Sequence, residues 1–151
     1  MSSIFTTMLI THVVVGIIGV SASYALLMAI LKKKPSLWFM KLSALIAFLS
    51  YLVSWGSGGY YYVLRYGAEV KPVIKAGDYP WAHGIFMESK EHIFLFIPVL
   101  IFTTLFILWT HGHDVLANKD LKRALAFLVF IIFLLALFVT LSGIIVSDSA
   151  G

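Results

Sequence analysis

Two histidines stand where long apolar runs begin, and at such a boundary a histidine can either be solvated or serve as a metal or haem ligand. His12 precedes the apolar run 13–31, and His92 precedes the run 93–109. If both runs cross a membrane in the same direction, the two imidazoles lie at nearly the same depth. Two imidazoles facing each other across a helical bundle form the axial pair of a b-type haem. We therefore predict one haem b, bound through His12 and His92.

Small and polar residues at matching heights could complete such a site. Gly16 follows His12 by one helical turn and shares its stripe, and Gly59 ends the second apolar run. Both would leave room for a macrocycle, while Tyr61 and Arg65 could contact the haem propionates. The alternative is that Gly16, Gly19 and Ser23 form a small-residue stripe for helix packing, which needs no ligand.

The segment around His92 offers a second kind of chemistry. Glu88, Glu91 and His92 are three and four residues apart, so they share one face of a helix. If His12 faces these residues, the site could instead hold a Zn, Fe or Mn ion through nitrogen and oxygen ligands. The carboxylates could also exchange protons with a quinol. His83 lies ~2.5 turns before His92 and points to the opposite side of a continuous helix.

The remaining histidines have a simpler interpretation. His111 and His113 flank a glycine and precede Asp114, in the stretch 111–120 between two apolar runs. We interpret this stretch as a polar turn between helices.

Composition fixes the class of protein. Of 151 residues, 61% are hydrophobic and 12% are charged, whereas soluble domains are about half apolar and about a quarter charged. The chain is therefore an integral membrane protein. Its net charge of +4 comes from basic residues flanking apolar runs, so we expect no nucleic-acid partner. The absence of cysteine excludes disulfides, Fe–S clusters and thiolate metal sites.

Four apolar runs approach or exceed the ~20 residues that a spanning helix needs. They cover about 4–31, 37–64, 84–110 and 121–146. We predict a single all-α domain over residues 1–151, an integral membrane four-helix bundle. The first and third junctions hold most of the Lys and Arg, which predicts an N-out, C-out topology in the cell membrane. The pair His12 and His92 then lies on the outer side.

The helix count and the two histidines resemble small four-helix membrane b-type cytochromes, the cytochrome b561-like group. The resemblance is one of architecture and implies electron transfer, with quinol and a redox partner or larger membrane complex as partners. Members of that group hold haems on both sides with four histidines in the bundle, whereas this chain offers one pair. Two other hypotheses stay open. The chain could be a cofactor-free subunit or assembly factor with residues 66–75 as a docking loop, or a membrane metal-binding protein. Association of identical copies is compatible with each.

Overall fold

The computed structural model describes residues 3–150, and the chain is helical over nearly all of that range. The helices and helical segments, in chain order, are α1 (Ser3–Leu31), α2 (Leu37–Tyr61), a first π-helical segment (Tyr62–Val70), α3 (Lys71–Ala76), a second π-helical segment (Ala82–Met87), α4 (Glu88–Ala117) and α5 (Lys119–Asp148).

Four helical stretches are long and apolar enough to cross a membrane, and they indicate a multi-pass membrane protein. They are Ile4–Leu31, Leu37–Ala76, Ala82–Ala117 and Lys119–Asp148. The predicted all-helical class with four helices of spanning length is thereby confirmed, and membrane insertion and orientation stay predictions. The second and third stretches run past the predicted limits near residues 64 and 110, because the chain remains helical through polar sequence.

The four long helices form a ring in which α1 contacts α2 and α5, and α4 contacts α2 and α5. We name the two ends of this bundle after residues that they contain. The His12 end also contains Tyr62 and Glu91, and the Lys32 end also contains His113 and Asn118. An apolar core runs toward the Lys32 end and includes Leu26, Ile30, Met40, Ile101, Leu108, Val115 and Val129.

The contact between α1 and α2 uses the predicted small-residue stripe. A Cβ added at Gly19 would lie 2.7 Å from Cε1 of Tyr51, so the absence of a side chain lets the tyrosine ring seat against α1. The Tyr51 hydroxyl is 2.9 Å from Oγ of Ser23, one turn further along α1. Part of the glycine stripe therefore serves helix packing, as small residues do in membrane bundles.

At the Lys32 end, the interpretation of residues 111–120 as a turn is wrong for most of that stretch. Helix α4 continues to Ala117, and the chain reverses at Asn118, whose side-chain oxygen caps the start of α5. His111 and His113 are therefore helical residues, with non-helical backbone angles only at His111. His111 is exposed and its Nδ1 lies 3.2 Å from a carboxylate oxygen of Asp114. A capping asparagine, which satisfies two free N–H groups, decides where the reversal falls.

At the His12 end, the prediction of a docking loop over residues 66–75 is wrong. Residues 66–75 are helical, because α2 passes into the segment Tyr62–Val70 and then into α3. The two π-helical segments have wider turns than an α-helix. The first segment ends where the N–H of Lys71 donates a hydrogen bond to the carbonyl oxygen of Tyr66. The second ends where the N–H of Glu88 donates to the carbonyl oxygen of His83. Both bonds span five residues. Such wide turns change which side chains share a face, and they are frequent at functional sites.

Candidate functional site

Two adjoining cavities lie between the helices at the His12 end. Their volumes are about 500 Å³ and about 700 Å³. The first is lined by all four long helices, and the second lies mainly between α1 and α5. Residues that line both cavities include His12, Ser54, Lys90, Phe94, Gly143 and Ser147. An imidazole and an ammonium thus share the boundary between two spaces whose walls are otherwise largely apolar.

The His12 ring packs against α2 at Ser54 and Gly58. Its Nδ1 lies 2.8 Å from the Ser54 carbonyl oxygen and 3.0 Å from the Ser54 hydroxyl. The same hydroxyl donates to the His12 carbonyl at 3.1 Å. A Cβ added at Gly58 would lie 2.7 Å from Cε1 of the ring, so only glycine leaves space for it. Because a carbonyl can only accept, Nδ1 carries the hydrogen and Nε2 keeps its lone pair.

His92 has the same ring bonding in a different place. Its Nδ1 lies 2.6 Å from the Glu88 carbonyl oxygen, so its Nε2 also keeps the lone pair. However, the His92 side chain is exposed, and it is not among the residues that line either cavity. The structure therefore does not bring the rings of His12 and His92 into one cavity, and the paired ligation stays a prediction.

The predicted face of Glu88, Glu91 and His92 is divided between three surroundings. Glu91 lines the first cavity, His92 is exposed, and the side chain of Glu88 is 58% exposed beside His83. Successive helical residues differ by about 100° in direction, so residues three and four apart still span a broad arc. The cavity meets only the Glu91 edge of this arc. Within residues 3–150, no group of three His, Asp or Glu residues is arranged to hold a metal ion.

The other predicted site residues fall partly within the cavities. Gly16 lines the second cavity, and Gly59 and Tyr61 line the first. Arg65 lines neither; its guanidinium instead pairs with the Glu69 carboxylate at 3.0 Å, one turn along the same segment.

Sequence reasoning missed Lys90, Tyr66 and His83. Lys90 lies on the cavity side of α4, where its Nζ would be 3.3 Å from a Cβ added at Gly143. His83 is 1% exposed and its Nδ1 lies 3.0 Å from the hydroxyl of Tyr66, which is 3% exposed and lines the first cavity. Lys90 could have been predicted, because a lysine so close to an apolar run needs a polar environment. Nothing in the spacing predicts the pair, because it depends on the wide helical turns.

Comparison with family models, characterised proteins and solved structures found no match. The site therefore has to be interpreted from its own geometry.

The cavities combine three chemical groups that can act on one ligand. His12 presents an imidazole lone pair, Lys90 an ammonium and Glu91 a carboxylate whose Oε1 is buried with no hydrogen-bond partner in the described chain. Buried groups of this kind are costly unless something satisfies them. The arrangement suits a largely apolar ligand that also has hydroxyl groups or a centre that binds nitrogen.

Proposed function

We propose that this chain is a membrane electron-transfer protein that binds one b-type haem in the cavities at the His12 end, with His12 as an iron ligand. The observation that carries the proposal is the His12 ring itself. It lines both cavities, and the Ser54 carbonyl fixes its Nδ1 and leaves Nε2 with a lone pair. Histidines that bind metals regularly donate their other ring N–H to a carbonyl in this way.

The residues around His12 suit a flat group with an apolar face and an acidic edge. Gly16, Gly59 and Gly143 keep the walls free of side chains. Tyr61 and Lys90 offer a hydroxyl and an ammonium to propionate oxygens. When bound, the haem supplies a reversible one-electron change at its iron. The protein residues orient it, fix the ligand ring and exclude water.

His92 is the predicted second ligand. Its ring carries the lone pair on the same nitrogen as His12, which supports a ligand role. Since it lies outside the cavity walls and about 200° around α4 from Lys90, ligation by His92 requires α4 to turn as haem binds, and this turn would replace the Lys90 contact. On the positive-inside rule the Lys32 end faces the cytoplasm, so the haem would exchange electrons with quinol and an outer-side or membrane partner.

The test is a reduced-minus-oxidised visible spectrum of the full-length protein purified in detergent after expression with ample haem. We expect a sharp b-type α-band in the wild type and its loss in His12→Ala. His111→Ala is the matched control, because His111 is exposed at the opposite end of α4. This variant should keep the full band.

His92→Ala decides the second ligand in the same experiment. Loss of the band would support paired ligation, and a shifted band would support His12 with a different sixth ligand. A full band in His12→Ala, or a colourless wild type, would overturn the haem proposal. Colourless protein would favour the cofactor-free subunit.

A quinol bound directly in the cavity is the second candidate, and the unpartnered Glu91 Oε1 favours it. A quinol hydroxyl could donate to this oxygen, while His12 and Lys90 could contact the rest of the head group. A short-chain quinol, kept reduced and added to haem-free protein, should then change the fluorescence of Trp55, which lines the same cavity. Glu91→Gln should weaken this binding by about tenfold, since hydrogen bonds to charged groups contribute roughly 1.5–3 kcal/mol. Glu69→Gln is the control, and equal affinities in both variants would exclude this role of Glu91.

A further inference from the structure

The most unusual buried group outside the His12 site is the imidazole of His83. The ring is 1% exposed, and its Nδ1 lies 3.0 Å from the Tyr66 hydroxyl. Its Nε2 is buried and has no hydrogen-bond partner among residues 3–150. A buried polar atom without a partner costs ~1–3 kcal/mol, which an apolar side chain of similar size would avoid.

A surface carboxylate stands next to the unpartnered nitrogen. Oε1 of Glu88 lies 3.9 Å from His83 Nε2, and the Glu88 side chain is 58% exposed. This separation exceeds a hydrogen bond, but a small side-chain rotation of the exposed glutamate would close it. His83 therefore lies between one group open to the surface and one buried hydroxyl.

The buried hydroxyl leads to the cavity. Tyr66 lines the first cavity together with Tyr62 and Glu91. The rings of Tyr62 and Tyr66 stack with their centroids 5.3 Å apart, and the Tyr62 hydroxyl lies beside the Glu91 carboxylate. The groups thus form a series from the surface to the cavity that holds His12, with a step of 3.9 Å between Glu88 and His83.

We propose that Glu88, His83 and Tyr66 form a proton path between the surface at the His12 end and the cavity. A proton on the Glu88 carboxyl moves to His83 Nε2. The ring passes its Nδ1 proton to the Tyr66 oxygen, and Tyr66 releases its own hydroxyl proton to an acceptor in the cavity. One proton enters and one leaves. The ring returns to its first tautomer by rotating or when a proton moves the other way.

The charges around His83 are compatible with this role. Lys71, Lys75, Glu88 and Glu91 are the charged groups that face it, two of each sign. Burial disfavours the charged ring, so His83 would receive one proton at Nε2 as it gives up the other at Nδ1. The path rests on the proposed function in one respect, namely that a group in the cavity gains or loses charge and needs a compensating proton.

The competing explanation is structural. The Tyr66–His83 bond could simply fasten the segment Tyr62–Val70 to the segment Ala82–Met87. That explanation uses neither Glu88 nor the free Nε2, and it predicts the opposite response to loss of the tyrosine hydroxyl. Without the bond, a structural His83 would exchange its ring proton with water faster.

The experiment measures exchange of the His83 ring proton with water by NMR in full-length protein labelled with ¹⁵N-histidine. His83→Gln assigns the resonance, and the other histidine signals report whether each variant is folded. We expect slower exchange in Glu88→Gln and in Tyr66→Phe, and slowing on the order of 100-fold in the double variant, the lower range for a positioned proton-transfer group.

Matched controls keep the neighbouring chemistry. Glu69→Gln removes an exposed carboxylate of the first π-helical segment, and Tyr60→Phe removes an exposed hydroxyl before it. Both should leave the exchange rate unchanged. An unchanged rate in Glu88→Gln, or a faster rate in Tyr66→Phe, would overturn the path. Failure of the proposed function shows separately, as wild-type protein without a haem band, and the NMR comparison does not depend on that band.

Discussion

The two ends of the bundle are built from opposite kinds of burial. Toward the Lys32 end the buried side chains are mostly apolar, with small hydroxyl residues such as Thr104 among them, and ionisable groups such as His111, Asp120 and Arg123 lie on the surface. The His12 end instead encloses cavities and buries His83 and an oxygen of Glu91. Apolar packing stabilises a fold, whereas enclosed polar groups and empty space lower its stability. The Lys32 end therefore stabilises the bundle, whereas the His12 end has the space and the enclosed polar groups that the proposed ligand site needs.

The largest expected effect tests the packed end. Ile101→Ala removes a 0% exposed side chain from the core and should lower the free energy of unfolding by about 2–5 kcal/mol. Leu95→Ala is the comparator at the His12 end, where the side chain is 55% exposed and borders a cavity. We expect a change below ~1 kcal/mol there. Equilibrium unfolding in mixed micelles checks both, and equal losses would remove the distinction between the ends.

A pair of glycines sharpens the same contrast. Gly19→Ala forces a methyl group against the Tyr51 ring and should cost about 1–3 kcal/mol through overpacking. Gly59→Ala adds a methyl group where no atom lies within 4 Å, so the better helix propensity of alanine should leave stability unchanged or raise it by ~0.5–1 kcal/mol. The same unfolding measurement compares them. A destabilised Gly59→Ala would mean that the cavity wall is more tightly packed than we infer.

Gly58 tests the ligand role of the His12 end. Gly58→Ala pushes against the His12 ring without removing any ligand atom. If His12 binds haem iron, we expect haem affinity to fall by about 10- to 100-fold, as for other groups that orient a metal ligand. Haem titration followed by absorbance measures this, with Gly56→Ala as the control because that position is open. Unchanged affinity would argue against iron ligation by His12.

The smallest effect concerns Arg65. Since its guanidinium pairs with Glu69 and lies outside both cavities, Arg65→Gln should change the free energy of unfolding by only ~0.2–1 kcal/mol. Haem affinity should stay at the wild-type value. A marked loss of haem affinity would restore Arg65 to the propionate role that its position in the sequence suggested.

Much of the fold could be predicted because it depends on composition. Long apolar runs require helices in lipid, so four spans follow from the sequence whatever their neighbours are. The limits of the helices were less predictable, since Asn118 and the wide turns after Tyr61 decide them locally. Apolarity alone could not show that helix continues through residues 62–76.

The candidate site was predictable only in part. The cavities are lined by four of the predicted site residues, namely His12, Gly16, Gly59 and Tyr61. His92 does not line them, because depth along a helix says nothing about which way a ring faces around it. Lys90 and the Tyr66–His83 pair became evident only when neighbouring helices supplied the other walls.

The sequence by itself determined that this protein is all-helical, with four helices long and apolar enough to cross a membrane and its ionisable groups near their ends. It did so because the hydrophobic effect and backbone hydrogen bonding in lipid act on every residue of that composition. The tertiary structure alone decided which ionisable groups are enclosed together. The rotation of each helix about its axis and the register of its turns set the direction in which each side chain points. Both depend on packing between segments that are distant in the chain.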